Sequence, residues 1–302
     1  MKTMLLDLSA RPDLLPLAQV VRPLQVAADQ QGAAFFLMGA AARDVMLLHA
    51  HGIDTRRKTE DMDFGVMVAD WPTFEALREA LIAGGEFVAI SNDATHKLRH
   101  RSGHPLDIVP FGGIERADRT LAWPPDEHTV FDCFGMREAM QAGQQVLLPE
   151  EVMVRVAGIP ALALLKITAW QDRKKSFPGR DAPDLMLYLR HYLDCDNMDH
   201  AAAEHADLFE VDDYEHEATS ARLLGRDLLS IIDKPAIRRV VEILKPEADE
   251  NGPLLLAKQS GLELELARRI IHALCSELLS HAARTDSGHG GLHRPAARRV
   301  HL

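Results

Sequence analysis

Apolar residues recur along the first half of the chain with two different periods. Over residues 14–31, Leu15, Leu17, Val20, Val21, Leu24 and Val26 give a helical stripe. AAFFLMG then reads as a short buried strand ending at Gly39, and AAARDVMLLHAHG as a helix stopped by Gly52. DFGVMV is a strand. WPTFEALREALIAGG is a helix with Pro72 in its first turn. HKLRHRSGHPLDIVPFG alternates on both sides of Ser102-Gly103, as a hairpin does. After Pro149 the character changes. IPALALLKITAWQDRKK and APDLMLYLRHYL are helical, and only helical patterns follow from about Ala201.

These patterns predict an α+β fold: an N-terminal domain over residues 1–155 with a small mixed sheet, a helical domain over 156–285, and a disordered tail over 286–302. A chain of 302 residues is long enough for two domains. No apolar run reaches membrane-spanning length, and the opening MKTMLLDLSARPDLLP does not read as a signal peptide. Cys133, Cys195 and Cys275 are scattered, which argues for a reducing cytoplasm and against a structural zinc site. The net charge of -11 weighs against broad non-specific binding to nucleic acid. The cations are nonetheless clustered, as RRK (56–58), HKLRHR (96–101) and DRKK (172–175). Each alone suits a solvated face; together, beside acidic motifs, they suit a polyanionic substrate.

The acidic motifs carry the chemistry. In TEDMDFGVMV, Asp61 and Asp63 stand two apart at the head of a strand, so both carboxylates share a face and could share one ion. Burying such a pair is costly without a cation. Asp107 interrupts the second hairpin arm between Leu106 and Ile108. Three aspartates on adjacent strands would make a set of hard oxygen donors suited to Mg²⁺, which takes substrate phosphates as further ligands. Gly39 precedes a helix whose free N–H groups favour an anion. Arg43, one turn in, either reaches that anion or pairs with Asp44 at the surface. Lys166 interrupts an apolar helix, either snorkelling or facing a cleft. The histidines at 96, 100 and 104 lack metal spacing, and Trp170 belongs to a core. No Walker A loop, GxGxxG after a strand or GxSxG is present.

The order of LMGAAARDVML, RKTEDMDFGV, PLDIVPFG, FDCFGMREAM and IPALALLKITAWQDRKKSFPGRDAPDLMLYL resembles the nucleotidyltransferase superfamily of DNA polymerase β, and within it the AbiEii-type toxins of type IV toxin–antitoxin systems. The resemblance implies a Mg²⁺-dependent enzyme, with two ions, that moves a nucleoside monophosphate from an NTP to an acceptor hydroxyl and releases pyrophosphate. It casts Asp61, Asp63 and Asp107 as metal ligands, Asp107 also activating the acceptor. Gly39 and Ala40 form the triphosphate turn, where Ala40 replaces the serine of many relatives. By the same resemblance Lys166 and the Arg180-Asp181 pair complete the site, with Arg173, seven residues on and so on the same helical face as Lys166, and Asp181 as nucleotide-binding residues. Asp181 either orients Lys166 or caps the next helix. The implied acceptor is an RNA end such as that of tRNA, and the implied partner an antitoxin protein. Transfer to a protein or a small molecule, or a nucleotide-binding regulator without activity, are the alternatives. A Lys166→Met chain is expected to fold normally and to lose most activity.

Overall fold

The computed structural model describes residues 5–56, 59, 61–91, 95–125, 127–210 and 213–287. The chain starts with β1 (Leu6–Asp7), α1 (Leu15–Gln31), β2 (Ala34–Met38) and α2 (Gly39–Arg43), which widens into a π-helical turn over Asp44–His49. Next come β3 (Met62–Val68), α3 (Trp71–Ala83), β4 (Phe87–Ala89), β5 (Lys97–His100), β6 (Pro105–Gly112), β7 (Thr120–Ala122), β8 (Val130–Asp132), α4 (Met136–Gln141), β9 (Gln144–Leu148) and β10 (Val152–Val156). The remainder is helical: α5 (Ile159–Arg173), α6 (Ala182–His191), α7 (Met198–Glu204), α8 (His216–Ile231), α9 (Lys234–Ala248), α10 (Leu255–Gln259) and α11 (Leu264–Ser287). The 288–302 part of the expected tail, and Arg57 and Lys58 of the RRK cluster, lie outside the described residues.

Local chemistry sets many of these boundaries. α1 stops at Gly32, whose left-handed φ of 62° closes the last turn. Asp70 caps α3 by accepting from the Thr73 amide at 2.9 Å, with Pro72 pre-set in the first turn. Asp233 caps α9 in the same way through the Ala236 amide. In α1 the buried face is Leu17, Val20, Val21, Leu24 and Ala28; Val26 faces out.

The sheet is larger than the sequence pattern suggests. Eight strands lie in the order β1-β9-β10-β2-β3-β6-β5-β4, and β7 pairs with β8 beside them. The expected hairpin is present as the antiparallel pair β5 and β6. The strands that escaped the pattern are mainly β9 and β10, antiparallel arms separated by Pro149, Glu150 and Glu151. With β1 only two residues long and β4 three, their periods are too short to read. β3 runs antiparallel to β2 and parallel to β6, so both of its edges are paired, and most of its side chains are buried, Met67 excepted.

The last strand ends at Val156, and α5 starts two residues beyond Ala157. α5 packs against α2 and α4 as well as α6, α8 and α9. One apolar core therefore runs from Leu8 through the sheet to Leu278. Trp170 is buried within it, as the sequence implied. No helix among the described residues is long and apolar enough to cross a membrane. The three cysteines are buried and unpaired, and burial raises their thiols to about 11 to 12.

The sheet centre makes one demand that only a glycine meets. A methyl group on Gly65 would stand 2.4 Å from Phe36 Cε1 and 2.9 Å from Met136 Cε. Phe36 is itself fixed edge-on against Phe111. Gly65→Ala is therefore expected to lower stability by about 1–3 kcal/mol, as overpacking does. Thermal melts check this; an unchanged Tm would show that the Phe36 ring has room to yield.

Candidate active site

One row of the sheet carries the acidic motifs. Met38 of β2 lies opposite Asp63 of β3, Asp63 beside Asp107 of β6, and Asp107 opposite Lys97 of β5. Side chains in register share a face, so Asp63 and Asp107 project together. Asp61, two residues before Asp63, stands just outside β3 and is exposed. Gly39 opens α2 with a φ of +67°, and a Cβ there would lie 2.1 Å from Asp63 Oδ2. The turn thus needs glycine twice: for its left-handed backbone and because the Asp63 carboxylate rests against it.

This carboxylate group is short of positive charge. Burial, then the neighbouring Asp107, push the Asp63 carboxyl up to about 6; Asp61 adds to the rise, while Lys166 and Arg180 oppose it. Asp107 has a partner, Lys97 Nζ at 3.1 Å. Among the described residues, His200, Glu204 and His205 are the only three such side chains with ligand atoms all within 4.8 Å of one another. The three aspartates are therefore splayed, Asp107 towards Lys97 and Asp61 towards solvent. Their hard-oxygen chemistry and unbalanced charge fit a divalent ion; gathering around one requires side-chain rotation. The histidine cluster fits less well, because the Arg226 guanidinium lies 3.3 Å from His205 Nδ1.

A second charged group lies across the cleft and is fully paired. Arg43 is 2% exposed. It donates to Asp44 at 2.8 and 2.9 Å and to Asp184 at 2.7 Å. Lys166 Nζ, from α5, sits 2.8 Å from Asp184 and 3.1 Å from Asp181. Arg173 holds Asp181 with both Nε and Nη2, at 2.6 and 2.7 Å. Burial alone would raise Asp181 and Asp184, but the cations outweigh it and hold both carboxyls below the ordinary range. Three cations thus meet three carboxylates. Arg43 is not at the surface: it keeps the expected pair with Asp44, and Asp184, at the start of α6, draws it inward. Asp181 sits at the α6 N-cap position but makes no cap hydrogen bond; its oxygens go to Lys166 and Arg173. Lys166 does not snorkel.

Asp61, Asp63 and Asp107 line a cleft of about 710 Å³ with Arg43, Lys166, Arg173 and Asp184 of the paired group, together with Gly39, Ala40, Lys97 and Arg180. From the sequence, Arg180 came in only as the partner of Asp181, without a role of its own. It is exposed and has no carboxylate partner among the described residues. The missing signal was the pairing of Arg173, which leaves Arg180 as the open charge. Asp132 and Asp172 close the far wall, Asp132 bonded to Arg239 of α9.

Over residues 24–257 the chain matches the family described as nucleotidyl transferase AbiEii toxin, type IV TA system. Two solved structures are similar at a looser level. The solution structure of the antibiotic-resistance factor ANT(2'')-Ia is 18% identical, with 65% of this chain and 95% of that chain covered and a TM-score of 0.34. The crystal structure of ANT(2'')-Ia with adenylyl-2''-tobramycin is 15% identical, with 57% and 87% covered and a TM-score of 0.34. Comparison with curated proteins gave no match.

The paired group changes what a Lys166 variant should do. Lys166→Met leaves two cations facing three carboxylates, of which Asp181 and Asp184 are buried. It is expected to cost about 2–4 kcal/mol, near the range for breaking a buried pair, rather than to fold normally. Adding Asp184→Asn restores the balance, so the double variant should lose less than the two single losses combined. Denaturant titrations of the four proteins decide it; additive losses would show that the cluster is not coupled.

Proposed function

The chain belongs to the AbiEii nucleotidyltransferase family, and from that premise we propose that the cleft transfers a nucleoside monophosphate from an NTP to an RNA 3′ end, tRNA being the leading candidate. The observation that carries this reading is the register of Asp63 with Asp107, with Gly39 pressed against Asp63. Asp61, Asp63 and Asp107 would hold Mg²⁺, as two ions, whose chemistry is to polarise the α-phosphate and stabilise the leaving pyrophosphate. The acceptor hydroxyl attacks the α-phosphorus, the bond to the β-phosphate breaks, and pyrophosphate departs. Asp107, on the outer strand of the pair, takes the hydroxyl proton.

The other residues divide into binders and holders. Backbone N–H groups at Gly39 and Ala40 meet the triphosphate, without the help of a hydroxyl at position 40. Arg180 supplies the open positive charge. Lys166 acts next to Asp63 as a fixed cation, held in place by Asp181 and Asp184. Arg43 and Arg173 hold those carboxylates rather than the nucleotide. The catalytic unit is then residues 1–155 together with the α5 and α6 faces of the helical unit, 156–285. As a type IV toxin, the protein would act in the cytoplasm and be countered by an antitoxin protein.

Incubation with each labelled NTP, Mg²⁺ and total RNA, resolved on a gel, tests the reaction. One NTP is expected to label RNA at its 3′ end, and Asp63→Asn is expected to abolish labelling while the fold persists. Label on protein alone would overturn the RNA acceptor.

The Asp63 carboxyl, raised to about 6, gives a separate test that needs no turnover. Without metal, the folded chain holds this proton more tightly than the unfolded one. Its contribution to stability is therefore present at low pH and is lost as pH rises through about 6. A divalent ion must displace the same proton, so Mg²⁺ or Mn²⁺ should raise Tm more at pH 8 than at pH 5.5. Asp63→Asn should erase the difference; equal shifts at both pH values would place the ion elsewhere.

A further inference from the structure

The connection between α5 and α6 differs in charge from the rest of the molecule. The chain carries a net charge of -11, yet residues 173–180, RKKSFPGR, hold four cations and no acid. Two of those cations are engaged: Arg173 with Asp181, and Lys174 with the Trp170 ring at 4.5 Å and with Gln171 at 2.8 Å. Lys175 and Arg180 are exposed and have no carboxylate partner among the described residues. Between them Phe177 is left 55% exposed, with the Arg180 guanidinium 5.9 Å from its ring centre.

This connection is held in shape. Gln259 of α10 accepts from Trp170 Nε1 and donates to the Lys174 carbonyl, both at 2.8 Å. The Phe177 amide donates to the Arg173 carbonyl at 2.8 Å. The connection also joins the cleft, since Arg173 and Arg180 line the same space as Asp63 and Asp107. An exposed aromatic ring between two open cations is the arrangement that takes an unpaired base on its face and phosphates on either side. A paired duplex offers no base face to Phe177, and an acidic peptide offers charge but no flat ring.

We propose that the α5–α6 connection docks the single-stranded 3′ end of the RNA acceptor, Phe177 stacking on an unpaired base while Lys175 and Arg180 meet the flanking phosphates. The proposal rests on the reading of RNA as acceptor, and it names the surface that would deliver the 3′ hydroxyl to Asp107.

The test is an equilibrium one, run on the full chain without NTP or metal. Fluorescence anisotropy compares a labelled single-stranded RNA with the same sequence in a blunt duplex, for the wild type, Phe177→Ala and Lys175→Gln. The wild type is expected to prefer the single strand. Phe177→Ala should weaken it roughly tenfold, the scale of one lost stacking contact. Lys175→Gln should weaken it less and lower its salt dependence by about one phosphate contact. Stabilisation by NTP, read by thermal melts, should be the same in all three proteins. RNA affinities that do not change in either variant would overturn the proposal. So would a poly-glutamate peptide that displaces RNA equally well from the wild type and from Phe177→Ala, which would mark a plain charge patch for an acidic polypeptide. Failure of labelling with every NTP, with these binding differences intact, would remove the reaction and leave the docking surface standing.

Discussion

The chain of ion pairs from Arg43 through Asp184, Lys166 and Asp181 to Arg173 is the constraint around which the cleft is built. It links α2, which follows the glycine turn, to α5 and α6, which carry the cleft's opposite wall. Buried charges are tolerable only when paired and hydrogen-bonded. These six groups, counting Asp44, balance one another, and each anchors its neighbours' rotamers. Moving α6 away from α2 would leave Asp184 and Arg43 buried without each other. The relative placement of sheet and helices is therefore fixed by electrostatics as well as by the continuous apolar core.

Against that balanced group stands an unbalanced one. Asp63 and Asp107 lie side by side in parallel register, and among the described residues only Lys97 forms an ion pair with either. The contrast explains why the same residue type behaves oppositely within one cleft. Asp181 and Asp184 are held below their usual range by cations that outweigh burial, while Asp63 is raised because burial and a like charge act together. In the proposed reaction, carboxylates that receive a cation with the substrate cannot be neutralised by the protein's own side chains, whereas those that keep the walls in register must be. On that proposal the two carboxylate groups divide these tasks, with Lys166 at the boundary between them.

Much of this was legible in the sequence. The helical stripe of α1, the β5–β6 hairpin and the run of helices after Val156 follow from periodicity. That Asp63 and Asp107 share a face follows from the pleat once both strands are recognised. Gly39 before a helix and Lys166 within an apolar one were visible as anomalies. Short strands with no clear period, such as β1 and β4, were not, nor was the β9–β10 pair around its tight turn; the sheet came out larger than expected.

What the sequence by itself determined was the set of charges and their local spacing; tertiary structure decided their partners. Arg43 reads equally well as a surface residue or a phosphate ligand until α6 brings Asp184 to 2.7 Å. Lys166 reads as a snorkelling side chain until two carboxylates close on it. Arg180 gains its standing only because Arg173, seven residues earlier, is already held by Asp181. Even Asp63 and Asp107, whose shared face the pleat assigns, are drawn apart by a lysine on the next strand, and Asp61 falls just outside the strand that was to align it. Periodicity is a property of neighbours along the chain, whereas a charge answers to whatever lies within a few ångströms, and in this cleft those groups are up to 141 residues away.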